Sequence, residues 1–333
     1  MKRTPLFTLL LLLTIAVLAS ACGSRHEGQP GSDAARLEAL DIQIQRHPQK
    51  ASLLAERGSL LVRLGRAKEG QYDLERAVKL KPENVDYMMW LADAYLANGN
   101  TDQCFHTLAQ AEELEPARTD VHLKMGEIAY IKKNYDRSLK SLSQVTEADP
   151  DNRTALYMKA SIYKAKGDTT SAVSLFRKVC DLYPDYAPAF EELGIIYSPR
   201  NYPLATDYLN TALRLDSTNT NTMYALALCH QEAGHIDEAE SLYHRLLTIN
   251  PNSADAWHNL GYIELFHYKD YAKAIGYMTK AIEADSQCIE ALVNRGCAYE
   301  LSGRTADARR DFEAALAIDS DYPPALDGLH RVD

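Results

Sequence analysis

Ala254-Asp255-Ala256-Trp257-His258-Asn259-Leu260-Gly261 opens a stretch that passes through a polar turn ending at Asp270 and continues to Ala274, Met278 and Ala281. Trp257, Leu260, Gly261 and Leu265 recur at helical spacing and make one apolar stripe. Ala274, Met278 and Ala281 make a second stripe on a following helix. Gly261 and Ala274 are small, which suits two helices crossing closely. The stretch predicts a helical hairpin.

The same hairpin recurs along the chain. Repeats are expected at 51–84, 85–118, 119–152, 153–186, 187–219, 220–253, 254–288 and 289–322. Six of these are 34 residues long; the fifth is one shorter and the seventh one longer. The eighth repeat position reads Gly58, Ala92, Gly126, Ala160, Gly194, Ala227, Gly261 and Gly296, all small. The twenty-fourth reads Leu74, Leu108, Leu142, Phe176, Leu209, Tyr243, Met278 and Phe312, all large. Pro82, Pro116, Pro150, Pro184 and Pro251 stop the second helix. Gly65, Gly99, Gly167, Gly234 and Gly303 allow a tight turn between the two. In the fifth repeat Pro199 and Pro203 predict a first helix that ends early.

The Trp-x-x-Leu-Gly run, with alanines on the following helix, resembles the tetratricopeptide repeat. That resemblance implies an all-α fold, a right-handed α-solenoid of eight helix-turn-helix repeats with N- and C-terminal capping helices. The N-terminal cap is expected over 33–50 and the C-terminal cap over 323–333. No repeat of this kind buries its apolar face alone, so neighbours must stack. Repeats and caps use nearly every position after 32, which leaves no room in this sequence for a separate catalytic domain.

Lys2 and Arg3 precede a run from Leu6 to Leu18 that is apolar apart from two threonines. It is too short to span a bilayer and suits an export signal over 1–21. Leu18-Ala19-Ser20-Ala21-Cys22 resembles the bacterial lipobox, with Ala19 standing where leucine is commoner. The resemblance implies lipidation of Cys22; Ala19-Ser20-Ala21 also satisfies the A-x-A rule for ordinary signal cleavage, which cuts the same bond and gives a secreted form without lipid. A flexible tether over 22–32 follows. No aspartate follows Cys22, which in the family's sorting rule implies an outer-membrane anchor, with the body facing the periplasm. Five cysteines remain (Cys104, Cys180, Cys229, Cys288, Cys297), an odd number with no C-x-x-C pair, and are expected as buried small side chains.

The charge of −10 on 333 residues argues against a nucleic-acid footprint, which needs a basic surface. No phosphate-binding glycine loop, nucleophile elbow or H-E-x-x-H is present. The ten histidines show no ligand spacing; His230 and His235, five apart, do not share a helical face. The expectation is a non-enzymatic protein with no cofactor and no metal.

What remains is recognition. Repeat positions 2, 5, 9, 12 and 13 lie off the packing stripe of each first helix, and in proteins of this resemblance they line a concave groove. Here that face carries Met89, Leu123, Tyr130, Ile131, Tyr157, Tyr224, Leu228, Tyr262, Leu265 and Phe266, with Glu127, Glu191, Glu232 and Asp255 interleaved. Arg63 and Lys164 are nearly the only opposing charges. Aromatics beside carboxylates suit protein partners with amphipathic or basic segments. Asn259 and Asn294 resemble the asparagines that hold peptide backbone elsewhere in the family. The expected function is a protein-interaction scaffold in envelope, cell-wall or secretion-machine assembly. The rivals are a small-ligand or glycan-binding protein and an enzyme of unrecognised site.

Overall fold

The computed structural model describes residues 30–199 and 202–332, and every regular element among them is helical. The expected signal segment, Cys22 and most of the tether lie outside the described residues, as do Arg200 and Asn201 in the fifth repeat. No described helix is long and apolar enough to cross a membrane.

The described residues form two compact units, divided between 175 and 176. The first begins with α1 (Pro30–Arg46), which starts three residues before the expected cap. Three helical hairpins follow: α2 (Ala51–Arg63) with α3 (Ala67–Leu80), α4 (Val85–Ala97) with α5 (Thr101–Leu114), and α6 (Thr119–Ile131) with α7 (Tyr135–Ala148). Then come α8 (Arg153–Ala165) and α9 (Thr169–Leu182), and the division between units falls within α9. The second unit continues with α10 (Ala187–Tyr197) and α11 (Tyr202–Leu215), then α12 (Thr220–Glu232) and α13 (Ile236–Ile249). After these come α14 (Ala254–Ile263), a π-helical turn (Glu264–Tyr268) and α15 (Tyr271–Ala284). The last pair, α16 (Ile289–Leu301) and α17 (Thr305–Ile318), is closed by α18 (Pro323–Val332).

Local chemistry explains the punctuation. Gly65, Gly99, Gly167, Gly234 and Gly303 all take φ of 76–82°, a left-handed conformation that costs glycine nothing and other residues about 1 kcal/mol. Lys133 and Lys269 take that conformation where the third and seventh repeats lack the glycine. Asn84, Asn152 and Asn219 cap α4, α8 and α12 by accepting from backbone amides in the first turn, which satisfies donors the helix cannot.

Within each hairpin the small eighth position lies under the large twenty-fourth. A Cβ on Gly58 would stand 2.7 Å from Leu74 Cγ, on Gly126 2.7 Å from Leu142 Cδ2, and on Gly296 2.7 Å from Phe312 Cε1. These large partners are fully buried, each worth about 1.5–3 kcal/mol of transfer free energy. At the twentieth position Ser138 Oγ donates to Gly126 O at 2.6 Å, so even this buried hydroxyl is satisfied.

The two irregular repeats are resolved differently. α10 has 11 residues where six of the other first helices have 13, ending before Pro199 as the sequence predicts. The seventh repeat absorbs its extra residue as the π turn, which is closed by Lys269 at φ 58°. Glu264 is buried in that turn; one oxygen lies 3.4 Å from Lys273 Nζ and the other, Oε2, has no partner.

The first and eighth repeats share a device that the six between them lack. Arg57 grips Asp73 with two bonds of 2.6 and 2.8 Å and reaches back to Asp41 at 2.7 Å. Arg295 grips Asp311 at 2.7 and 2.8 Å and reaches back to Thr279 at 3.0 Å. Both aspartates are buried. The arginines stand at the seventh repeat position and the aspartates at the twenty-third, where no inner repeat has both.

All five described cysteines are free; Cys104, Cys180 and Cys229 are buried, while Cys288 and Cys297 are half-buried rather than fully enclosed.

Candidate functional site

The candidate surface is the face of each first helix that does not pack against its own second helix. In the first unit it is largely consumed by structure. Met89 is only 5% exposed and belongs to the core around Met88, Leu108 and Met125, so it is not a groove residue. Its period places it on the inner face, but the neighbouring helix closes over it. Leu123 and Tyr130 are half-buried against Leu142, Val145 and Met158, and the Tyr130 ring lies 6.0 Å from that of Tyr135. Ile131 packs at the edge of the Met125 core. Glu127 and Tyr157 are half-buried on the same face.

On this face Asp86, Asp93 and Asp120 are neutralised. Arg118 binds Asp86 at 2.5 Å and Asp120 at 2.8 Å, and Lys124 pairs with Asp93. The sequence reading counted Arg63 and Lys164 as nearly the only opposing charges. It missed Arg118 and Lys124 because they stand at repeat positions 34 and 6, outside the five positions assigned to the face. It also missed Trp90, which is exposed at position 6 with its ring 5.8 Å from Tyr87. A tryptophan standing where two later repeats carry asparagine was the available signal.

The second unit differs. Tyr262 is 41% and Phe266 50% exposed, and their ring centres are 4.5 Å apart. The π turn places both rings there: the extra residue rotates the end of the helix, so Leu265 turns inward, 2% exposed against Ala274 and Ala298. Leu265 is therefore core, in line with its place on the stripe of Trp257, Leu260 and Gly261 and contrary to its assignment to the groove, and Phe266 takes the open side. Leu228 is half-buried on the same face of α12, and Glu232, one turn on, is exposed.

Tyr224 is half-buried, with its ring 6.0 Å from Tyr243. Its hydroxyl accepts from Asn259 Nδ2 at 3.1 Å, and burial, then the nearby Asp255 charge, push its pKa up to about 12. Asn259 also donates to the Asp255 carbonyl at 3.0 Å and is itself buried. Asn294 meets His258 Nε2 at 2.9 Å, and burial lowers the pKa of His258. Both asparagines are thus committed internally, contrary to a backbone-holding role.

Glu191 is committed too. It accepts from Asn219 Nδ2 at 3.0 Å and Thr222 Oγ1 at 2.9 Å, tying α10 to the start of α12. By contrast, no ion pair among the described residues engages Glu232, Asp255 or Glu290. Asp255 keeps solvent access, yet its pKa is raised, first by the protein packed around it and then by Asp285 and Glu290. An aromatic pair beside carboxylates without counter-ions can take apolar side chains and cations together.

His230 and His235 do come together, contrary to the spacing argument. Their ring centres are 6.1 Å apart because His235 lies beyond the turn, and Tyr202 stacks on His235 at 5.0 Å while meeting His230 Nδ1 at 2.9 Å. Among the described residues, no group of three or more His, Cys, Asp or Glu side chains is placed to hold a metal ion.

Comparison with known proteins accords with this geometry. The tetratricopeptide repeat family matches residues 61–128, 123–187, 199–261, 254–288 and 289–322. Superkiller protein 3 of Schizosaccharomyces pombe is 31% identical over 146 residues, covering 41% of this chain and 10% of that protein. BBSome complex member BBS4 of Bos taurus is 24% identical over 176 residues, covering 53% of this chain and 33% of the relative. The chain thus spans a third or less of the length of these relatives. A tetratricopeptide repeat protein from Parabacteroides merdae superposes with a TM-score of 0.57 at 18% identity, covering 74% of this chain and 98% of that one. At that identity the likeness concerns the fold alone.

Proposed function

Since the chain belongs to the tetratricopeptide repeat family, we propose that it is a non-enzymatic protein-interaction scaffold, anchored in a bacterial envelope by lipid on Cys22 and facing the periplasm. Its partner is an amphipathic or basic protein segment, and the main capture surface is the inner face of α12, α14 and α16. One observation carries this reading: the open Tyr262–Phe266 pair shares that face with Glu232, Asp255 and Glu290, none of which has a counter-ion among the described residues. The Asp255 carboxylate, desolvated by the protein packed around it and crowded by Asp285 and Glu290, costs stability when charged, and a cationic segment offsets that cost on binding. The naming of one relative as a complex member supports a role in assembly.

A photo-crosslinking residue at position 266, expressed in the native host, should trap a discrete polypeptide that the same residue at 283 on α15 does not. Tyr262→Ala with Phe266→Ala should weaken that capture by about 2 kcal/mol, roughly thirtyfold, with helicity unchanged. Equal trapping at 266 and 283, or capture unaffected by the double substitution, refutes the assignment of this face.

A further inference from the structure

The turn of the first repeat presents apolar and basic side chains together, far along the chain from the surface just described. Tyr72 is 63% exposed and Leu64 42%. Arg66, Lys68 and Tyr72 line one cleft of ≈ 520 Å3 against α1, and the Arg76 guanidinium lies 5.6 Å from the Tyr72 ring centre. Acidic groups in this cleft are already taken: Arg57 holds Asp41 and Asp73, and Glu69 is held by Arg66. Arg63 and Lys68 meet no carboxylate among the described residues, and Arg76 donates to the Pro48 carbonyl instead. Residues 63–72 carry three basic side chains (Arg63, Arg66 and Lys68) and one acidic (Glu69), in a chain whose net charge is −10. This end of the protein has the opposite sign to the whole.

We propose that this turn is a membrane-docking edge, on which Leu64 and Tyr72 enter the headgroup zone of an anionic bilayer while Arg63 and Lys68 pair with lipid phosphates. Tyrosine favours that zone because its ring is apolar and its hydroxyl wet. Each basic residue near an anionic surface raises partitioning about fivefold. The chain before α1 supplies a second argument. Cys22 lies eight residues before Pro30, a span of at most about 29 Å even if fully extended. A lipid on Cys22 therefore holds the first repeat beside the bilayer, where weak contacts act at high effective concentration. Only this tether argument rests on the anchored reading given above; the surface chemistry stands without it. With both, the edge orients the body against the membrane.

Sedimentation with vesicles tests the edge apart from the anchor. Residues 23–333, which contain every described helix and no lipidation site, should pellet with phosphatidylcholine vesicles containing phosphatidylglycerol and not with pure phosphatidylcholine. Arg63→Gln with Lys68→Gln should lower partitioning about 25-fold, Tyr72→Ala should lower it further, and added salt should mimic the charge loss. Lys79→Gln with Lys81→Gln removes the same charge elsewhere and should have little effect. Absence of binding at low salt, equal binding to both vesicle types, or equal loss from the two double substitutions overturns the proposal. Binding to polyglutamate but not to vesicles also overturns it and assigns the patch to an acidic protein. If Cys22→Ser releases the full chain from membranes while vesicle binding fails, the anchor stands and the docking edge falls.

Discussion

Gly194 and Gly261 occupy the same repeat position but face different neighbours. A Cβ on Gly194 would lie 2.4 Å from Leu209 Cγ and 3.2 Å from the Ala205 carbonyl; on Gly261 it would meet Met278 Cε at 2.9 Å, with Cγ and Sδ at 3.1 Å. A leucine branch point cannot retreat, whereas a methionine tip can. Gly194→Ala should therefore destabilise the protein by about 1–3 kcal/mol. Gly261→Ala should come out near neutral, because the helix gains about 1 kcal/mol when glycine is replaced. Urea unfolding of the two variants checks this, and equal losses would refute it. Asp255 offers a test of the charged face. Its folded pKa is raised above the ordinary value of about 3.9, so between these two values the native state holds the extra proton. Stability then falls as pH rises through that window. Asp255→Asn should stabilise the protein at pH 7, with the gain vanishing below about pH 4. A gain that persists at pH 3 would show another origin.

At the scale of the element, the paired arginine clamps mark the two ends of the repeat array. Asp73→Ala removes both bonds from Arg57. Breaking a buried ion pair typically costs about 3–5 kcal/mol; because Arg57 can turn to water, a loss of about 2–3 kcal/mol is expected here. In a stack whose repeats touch only neighbours, hydrogen exchange should rise in α1, α2 and α3 and stay unchanged in α16 and α17. Asp311→Ala should do the reverse. The hairpins themselves were legible in the sequence, since periodic small and large positions report directly on which side chain sits over which glycine. The π turn was not. An extra residue was countable between 254 and 288, but it could have lengthened either turn or either helix, and the choice depends on the buried fit of Leu265 against Ala274 and Ala298. Face assignments by period failed for Met89 for a related reason: burial there is decided by the adjacent helix, not by the helix carrying the residue.

For the whole molecule, the acidic balance read from composition proved unevenly shared. Cross-repeat pairs such as Arg118 with Asp86, 32 residues apart, exist only once repeats stack, so a residue-by-residue tally of the face overstated free charge in the first unit. On the α12, α14 and α16 face no ion pair among the described residues engages Glu232, Asp255 or Glu290, whereas Glu300 of α16 is held by Arg331 at 2.8 Å. The proposed anchor has its own test. Cys22→Ser should move the protein from the membrane pellet to the soluble fraction, since durable attachment needs more than one acyl chain. Native protein that is already soluble and carries no lipid mass would refute the anchor.

The enclosed thiols carry a consequence for the lifetime of the fold. Cys104 and Cys180 have pKa values pushed up to about 12, chiefly by burial, and that of Cys229 is raised by the same cause. A sulfur must ionise to attack an oxidant or a disulfide, so these three stay chemically silent while their hairpins are shut. Each becomes reactive only in the interval when its own hairpin opens. In an oxidising compartment the second, fourth and sixth repeats would then record every such opening as a covalent mark, and the protein's ageing would be set by how often single repeats breathe.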